Sequence, residues 1–362
     1  MSKKSSVGVQ AWYTNCPVYH AGNVDQELGW IEEEYKKLGA KFTYFRSTKE
    51  NTWYPHYIHN MDNFFRYGGC CPAIHVKADI KDTVLLGLQW LHQGGAILTR
   101  SRDDIFTMQE LKGKRIGISK SLNTKKNDWW RITEHRGIEL ALRLNGMTNE
   151  DVQWVEYAYD DDWYDKREML DETFDTPSDI WLARDITNDP AFRPLELALE
   201  NGEIDAIYTA DGMYQVQEQS GKFKVIENLA NYPDWTVQVA NAPYTITVDR
   251  KFADEHPELI VAYMKGTIKT GRWINENKHA ASYFLNKTFF HPTVKETAES
   301  IAHMNFVPDF TPMNVQALDI QKEFMLKHGY IKNDFDVNDW IDSEFAKEAK
   351  KLLAEEQKGE FL

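Results

Sequence analysis

Thr107-Met-Gln-Glu-Leu-Lys-Gly-Lys-Arg-Ile-Gly-Ile-Ser119 reads as a short helix, a Gly-Lys turn and a new buried strand. The strand runs out at Ser119 and Ser121 beside a helix start, where unpaired backbone N–H groups could hold an anion. The same helix, turn and strand order returns at 197–208, around Gly202. Upstream, residues 7–12 and 41–45 read as strands. Between them lies a Glu-rich helix over 26–38, with Leu28, Ile31, Tyr35 and Leu38 on one face and Gly39 as its stop. Strand-like runs come next at 83–91 and 96–99, separated by Gly94-Gly95. Downstream come a helix over 136–144, strands at 152–158, 225–226 and 242–248, and a helical stretch over 252–275 interrupted at Pro257. The remainder, to Leu362, is mostly helical and charged. Strands alternating with helices predict an α/β protein with mixed sheets.

Composition narrows the function classes. The chain has 362 residues, enough for two ordinary domains, and 42% apolar residues, enough to bury a core. A net charge of −14 opposes nucleic acid or an anionic membrane as the main partner. No apolar run is long enough for a signal peptide or a membrane span, so the expected setting is cytoplasmic. Three cysteines, two of them adjacent, make a poor disulfide framework and fit a reducing compartment. The 12 tryptophans suit either packing or an aromatic-lined ligand site, for which Trp53, Tyr54, Trp129 and Trp130 are candidates.

The residues that carry chemistry cluster early. Tyr13-Thr14-Asn15-Cys16-Pro17-Val18 presents a lone thiol in the loop after the first strand; His56 comes later, then Arg66-Tyr67-Gly68-Gly69. A thiol, an imidazole, a guanidinium and a glycine pair are the parts needed to bind a small oxyanion and move a proton beside it. The plain alternatives are a buried small hydrophobe at Cys16, a structural imidazole at His56 and a surface turn at Arg66. Cys70-Cys71 with His75 lacks the usual Cys-x-x-Cys spacing, so no metal is expected there. Asp160-Asp161-Asp162 lacks the glycine and closing glutamate of a calcium loop and reads as a solvated loop in a long acidic stretch that ends at Asp189-Pro190. Phosphate-loop, dinucleotide, nucleophile-elbow and zincin signatures are missing, so no cofactor is expected.

Leu111-Lys-Gly-Lys-Arg-Ile-Gly-Ile118, Leu199-Glu-Asn-Gly-Glu-Ile-Asp-Ala206 and Phe252-Ala-Asp-Glu-His-Pro-Glu-Leu259 resemble the periplasmic substrate-binding proteins for nitrate, taurine and alkanesulfonates. That resemblance implies a type II periplasmic-binding-protein-like fold, two α/β lobes around a cleft. Lobe I would comprise 1–112 plus 240–362, and lobe II 113–239. Within this superfamily, Tyr13 to Val18, His56 ten residues before Arg66, Arg66-Tyr67-Gly68-Gly69, and the segment from Leu86-Gly87 to Arg100-Ser-Arg-Asp-Asp104 resemble the aromatic sulfinate desulfinases. Thr14 stands where that motif has serine.

The resemblance implies cofactor-free hydrolysis of an aromatic sulfinate with release of sulfite. Arg66 would grip two sulfinate oxygens with its planar fork. Gly68 and Gly69 would let backbone N–H groups approach the oxygens, with the Gly69 amide favoured. Thr14 and Ser119 would complete the substrate contacts. Cys16 would donate a proton to the ipso carbon or attack sulfur, tuned by His56. The expected partner is a small anionic aromatic molecule, and the expected state is a monomer. The alternative is a non-enzymatic binding protein that delivers a sulfonate, nitrate or similar small molecule to an ABC transporter.

Overall fold

The computed structural model describes residues 5–45, 54–89, 94–161, 194–210, 212–238, 241–288 and 293–359. Trp53, Asp162 and the acidic stretch from there to Asp189-Pro190 lie outside the described residues, as does the end of the chain at Leu362.

The strands are β1 (Gln10–Asn15), β2 (Lys41–Tyr44), β3 (Phe64–Gly68), β4 (Thr83–Gln89), β5 (Gly95–Arg100), β6 (Arg115–Ser121), β7 (Gln153–Tyr159), β8 (Ile207–Ala210), β9 (Phe223–Asn228) and β10 (Tyr244–Asp249). The first five helices are α1 (Ala21–Leu28), α2 (Trp30–Lys37), α3 (Tyr54–Ile58), α4 (Cys70–Asp79) and α5 (Trp129–Leu144). Then come α6 (Pro194–Asn201), α7 (Met213–Gln219), α8 (Arg250–Glu255), α9 (Pro257–Glu276) and α10 (Lys278–Leu285). The last four are α11 (Val294–Ile301), α12 (Pro312–Lys327), α13 (Val337–Trp340) and α14 (Glu344–Gly359).

A five-stranded sheet has the order β2-β1-β3-β10-β4. β1 runs parallel to both β2 and β3, and β10 returns antiparallel between β3 and β4. Central strands β3 and β10 are buried along their whole length. The second sheet has the order β8-β5-β9, and the parallel pair β6-β7 joins it through a bridge from Ile116 to Ala206. The chain therefore changes sheet between β4 and β5, before residue 112, because β5 already pairs with β8 and β9. It returns between β9 and β10. The C-terminal helices close back on the first sheet: Ile341 bridges to Leu85, and the buried Trp340 donates its indole N–H to Thr83 Oγ1 at 3.1 Å.

The apolar spacing predicts one helix over 26–38, and two are present. Gly29 adopts φ 71° between them, and its N–H caps α1 on the Asp25 carbonyl at 2.7 Å. The break turns Ile31 of α2 onto α9. There Gly266 permits a backbone approach: a Cβ at that position would lie 2.5 Å from Ile31 Cγ1 and 2.8 Å from its Cα. Pro257 occupies the first turn of α9, where its missing N–H breaks no hydrogen bond, so it begins a helix instead of interrupting one.

Gly266→Ala is expected to destabilise the fold by about 1–3 kcal/mol through overpacking against α2. Denaturant unfolding checks this; an unchanged midpoint would rule out the close α2–α9 contact.

Candidate active site

The loop after β1 is clamped from several directions. Cys16 N–H donates to the Tyr67 carbonyl at 2.8 Å, extending the ladder between β1 and β3 by one residue. Pro17 then fixes φ, and Val18 N–H returns to the Cys16 carbonyl at 2.8 Å, a three-residue turn. The Asn23 amide donates to that same carbonyl at 2.8 Å and to the Val18 carbonyl at 2.7 Å. His20 Nε2 lies 3.1 Å from the Cys16 carbonyl, and its ring stacks on Tyr67 at 3.9 Å. Burial drives the His20 pKa down to about 3, so the imidazole is neutral and serves as a fixed donor. Cys16 itself is half-buried.

His56 reaches the same place from α3. Its Nδ1 shares a 2.8 Å hydrogen bond with Thr14 Oγ1, two residues before the thiol, and its ring is buried. Gly68, the last residue of β3, lies beneath both groups. A Cβ there would sit 2.5 Å from Cys16 Cβ and 3.2 Å from His56 Cε1 and Nε2. The Cys16 Cβ and the His56 ring therefore both border Gly68, and glycine is the residue that leaves room for them.

Arg66 lies in the middle of β3, opposite Thr14 on β1 and Thr247 on β10, and is 1% exposed. It is not a surface residue. Its Nε donates to the His56 carbonyl at 2.6 Å and its Nη1 to Thr245 Oγ1 at 3.3 Å. Thr245 passes the interaction on to the Gly68 carbonyl at 3.2 Å. Among the described residues no carboxylate forms an ion pair with Arg66. Burial lowers its pKa, and Cys16, Tyr57, Cys70 and Cys71 act in the opposite direction. The described surroundings of this buried cation are thus thiols, a phenol, a backbone carbonyl and a hydroxyl. Because Nε is committed to the α3 backbone, the fork available to a ligand is the Nη end.

Two expected substrate contacts are arranged differently. Gly69 is the N-cap of α4, and the Asn241 side chain lies over it, within 2.5 Å of where a Cβ would be. Asn241 also accepts from Cys71 N–H at 3.1 Å through Oδ1 and from Cys70 N–H at 3.3 Å through its carbonyl. An amide side chain therefore satisfies this helix start, and a ligand oxygen would share or displace it. No motif in the sequence points to Asn241. Ser119 does not join the thiol: its N–H and hydroxyl are both engaged by Glu134, at 2.7 and 2.8 Å. The place expected to hold an anion at Ser119 is taken by the protein's own Glu134 carboxyl group, and burial raises its pKa to about 8. Trp130 lines the same small cavity, of about 40 Å³, with Glu134, Tyr159 and Met213, and it stacks on Trp129. Tyr54 and Tyr57, which flank His56, meet the loop after β6: the Asn123 amide donates to Tyr54 Oη at 3.2 Å, and Lys126 lies 5.0 Å from the Tyr57 ring.

Among the described residues, Cys70, Cys71 and His75 form no metal-ligating group.

The sequence matches no described family and no curated protein. Solved structures do match. A cysteine-to-serine mutant of the desulfurization enzyme DSZB, in complex with biphenyl-2-sulfinic acid, gives a TM-score of 0.69 at 18% identity, over 95% of this chain and 99% of that one. The periplasmic sulfonate-binding protein SsuA of Methylobacillus flagellatus gives 0.66 at 15% identity, over 97% and 96%. The alkanesulfonate-binding SsuA of Xanthomonas axonopodis, bound to MOPS, gives 0.61 at 13% identity, over 95% and 100%. The chain has the periplasmic-binding-protein fold. Both a desulfurization enzyme and sulfonate carriers are built on it, so the fold leaves function to the site.

Gly68→Ala is expected to cost about 1–3 kcal/mol and to change the rate at which Cys16 is alkylated, since the new methyl group must displace the thiol or His56. Unchanged stability together with unchanged alkylation would mean that the two groups do not border Gly68. Glu134 generates a pH effect. Its folded pKa near 8 exceeds the ordinary value of 4.5, so the folded state holds a proton that the unfolded chain has released. Its contribution to stability is complete below about pH 4.5 and is lost as pH rises through about 8, at up to roughly 1.4 kcal/mol per pH unit. Glu134→Gln is expected to flatten that decline, so thermal melts of variant and wild type diverge in favour of the variant between about pH 4.5 and 8 and keep a constant gap above that. Parallel pH curves would show that Glu134 ionises normally.

Proposed function

We propose that this protein hydrolyses the carbon–sulfur bond of an aromatic sulfinate, giving the arene and sulfite with no cofactor. The observation that carries this reading is that Cys16 and His56 both border Gly68, near a buried Arg66 that forms no ion pair with a carboxylate among the described residues. A sulfinate supplies a negative charge, and its planar pair of oxygens matches the Nη end of the guanidinium. The reaction adds water across the bond: ArSO2⁻ and H2O become ArH and HSO3⁻.

Two routes fit the residues. In the first, the Cys16 thiol protonates the ipso carbon, and the C–S bond breaks to release SO2. Water then adds to SO2 as bisulfite, and its proton returns to the thiolate. In the second, the Cys16 thiolate attacks sulfur, and the aryl group leaves with the bonding pair and takes a proton. Water then hydrolyses the resulting Cys–S–SO2⁻. His56 serves both routes by holding the proton exchanged with sulfur, its other nitrogen fixed by Thr14. The likeness to DSZB, whose cysteine mutant was captured with biphenyl-2-sulfinic acid, supports an aryl sulfinate as the substrate class. The reading includes a monomer acting in a reducing, cytoplasmic setting.

A second reading is a sulfonate carrier for a transporter, favoured by the likeness to SsuA proteins. It accounts for Arg66 but gives no task to the thiol–imidazole pair.

The test is sulfite release from 2'-hydroxybiphenyl-2-sulfinate by the purified protein, with Cys16→Ser in parallel. The expected outcome is turnover by wild type and a loss of roughly 10²–10⁴-fold in the variant, with the ligand still raising the Tm of both. Ligand-induced stabilisation with no turnover in wild type would favour the carrier; full activity in Cys16→Ser would remove the thiol from the mechanism.

A further inference from the structure

His135 and Glu139 lie one turn apart on α5, and His328 caps the C-terminus of α12. The three offer ligand atoms that all lie within 4.8 Å of one another. Glu139 sits between the rings: Oε1 is 3.3 Å from His135 Nε2, and Oε2 is 3.4 Å from His328 Nε2. Two ligand atoms on one tetrahedral zinc ion lie about 3.3 Å apart, given bonds near 2.0–2.1 Å, and each imidazole already stands at that distance from one of the two carboxylate oxygens. The rings cross at 69°, with centroids 4.4 Å apart.

Supporting contacts hold these side chains as a metal site requires. His135 Nδ1 is paired with Tyr330 Oη at 2.9 Å, which leaves Nε2 facing Glu139. The Asn149 amide donates to Glu139 Oε1 at 2.9 Å. Phe324 packs against both imidazoles and Trp154 against His135. Ring orientation fixed from the far nitrogen, and a carboxylate held by a second hydrogen bond, are the usual surroundings of bound metal. The side chains remain 16–22% exposed, and Glu139 lines an open groove between α5 and α12, so an ion has access. Arg131 and Lys327 are the neighbouring cations that oppose it.

We propose that His135, Glu139 and His328 bind one divalent transition ion of the zinc type, with a fourth position left for water. Two imidazoles and one carboxylate suit zinc, cobalt or nickel; calcium and magnesium prefer all-oxygen sites. The ion ties α5, which packs on β5 and β8 of the second sheet and on β6, to α12, which packs on β4 of the first sheet and on α4. It is a cross-link between the two sheets. Since α4 starts at Gly69, the cross-link also braces one wall of the candidate active site. The proposal stands whether that site is catalytic or a carrier's.

The test uses the full-length protein stripped with EDTA and titrated with Zn²⁺ by calorimetry, with Co²⁺ absorption reporting ligand type. Cys16→Ser is run alongside, because the thiol is the rival ligand. The expected result is one equivalent bound, a raised Tm, and a cobalt spectrum without thiolate charge transfer, all retained in Cys16→Ser. His328→Gln is expected to weaken binding at least 100-fold and Tyr330→Phe by roughly 10-fold. Glu139→Gln provides a second ligand variant should His328→Gln fold poorly. No saturable binding by wild type overturns the proposal. So does binding that disappears in Cys16→Ser and persists in His328→Gln and Glu139→Gln.

Discussion

A guanidinium buried in the middle of a β-strand, with no carboxylate ion pair among the described residues, is the constraint around which the first sheet is arranged. Removing such a charge from water costs several kcal/mol unless hydrogen bonds and a counter-charge compensate. Arg66 has the hydrogen bonds: the His56 carbonyl on α3 and the Thr245 hydroxyl on β10. These bonds are what position the imidazole, because α3 is a five-residue helix too short to be stable alone. Among the neighbouring thiols, burial raises the Cys71 pKa well above its ordinary value, so that group offers no negative charge. A requirement of electrostatics therefore ties α3 and β10 to the middle of β3.

The topology supplies the remaining geometry. β1 and β3 are parallel neighbours, so their C-terminal ends emerge side by side and the loops leaving them meet. Cys16 leads out of β1, and Gly68-Gly69 closes β3 and starts α4. Thr14 and Arg66 share a register position, which puts the hydroxyl that orients His56 opposite the guanidinium that anchors its backbone. A shift of one residue between β1 and β3 would turn Thr14 or Arg66 to the other face and take the site apart.

Much of the α/β alternation is legible in the sequence because apolar runs end in Gly turns, as at Gly94-Gly95, Gly113 and Gly202. Other elements are hidden by particular residues. Phe64-Phe-Arg-Tyr-Gly68 places a charge inside an apolar run, so a central buried strand looks like a turn; only its tertiary surroundings show that Arg66 is buried. The helical stripe of Leu28, Ile31 and Tyr35 runs straight through Gly29 and conceals the break there. The anion expected at Ser119 fails for a related reason. The apolar period becomes clear only from residue 136, whereas α5 begins at Trp129, and its hidden first turns carry the Glu134 that occupies the site. Cys16, His56 and Arg66 stand out through a family resemblance, because no sequence period links positions so far apart. Asn241 carries no signal, since its place over Gly69 depends on where β10 re-enters the first sheet.

Carrier and enzyme make different demands on the same fold, and the difference lies in groups that binding alone does not need. A carrier holds an oxyanion with fixed donors and gains nothing from a titratable side chain that must be desolvated beside it. Here a buried imidazole is oriented through one nitrogen by Thr14 and lies with a half-buried thiol over a glycine that leaves room for both. Burying His56 costs solvation, and its hydrogen bond to Thr14 offsets only part of that cost. The carbonyl of Cys16 is held by the Val18 amide, the Asn23 amide and His20, which is more restraint than an incidental surface thiol requires. Restraint of a nucleophile or proton donor to a fraction of an ångström lowers a reaction barrier by preorganisation and adds little to ground-state affinity. The proposed chemistry at Cys16 draws on this restraint, which a carrier's binding step would leave unused.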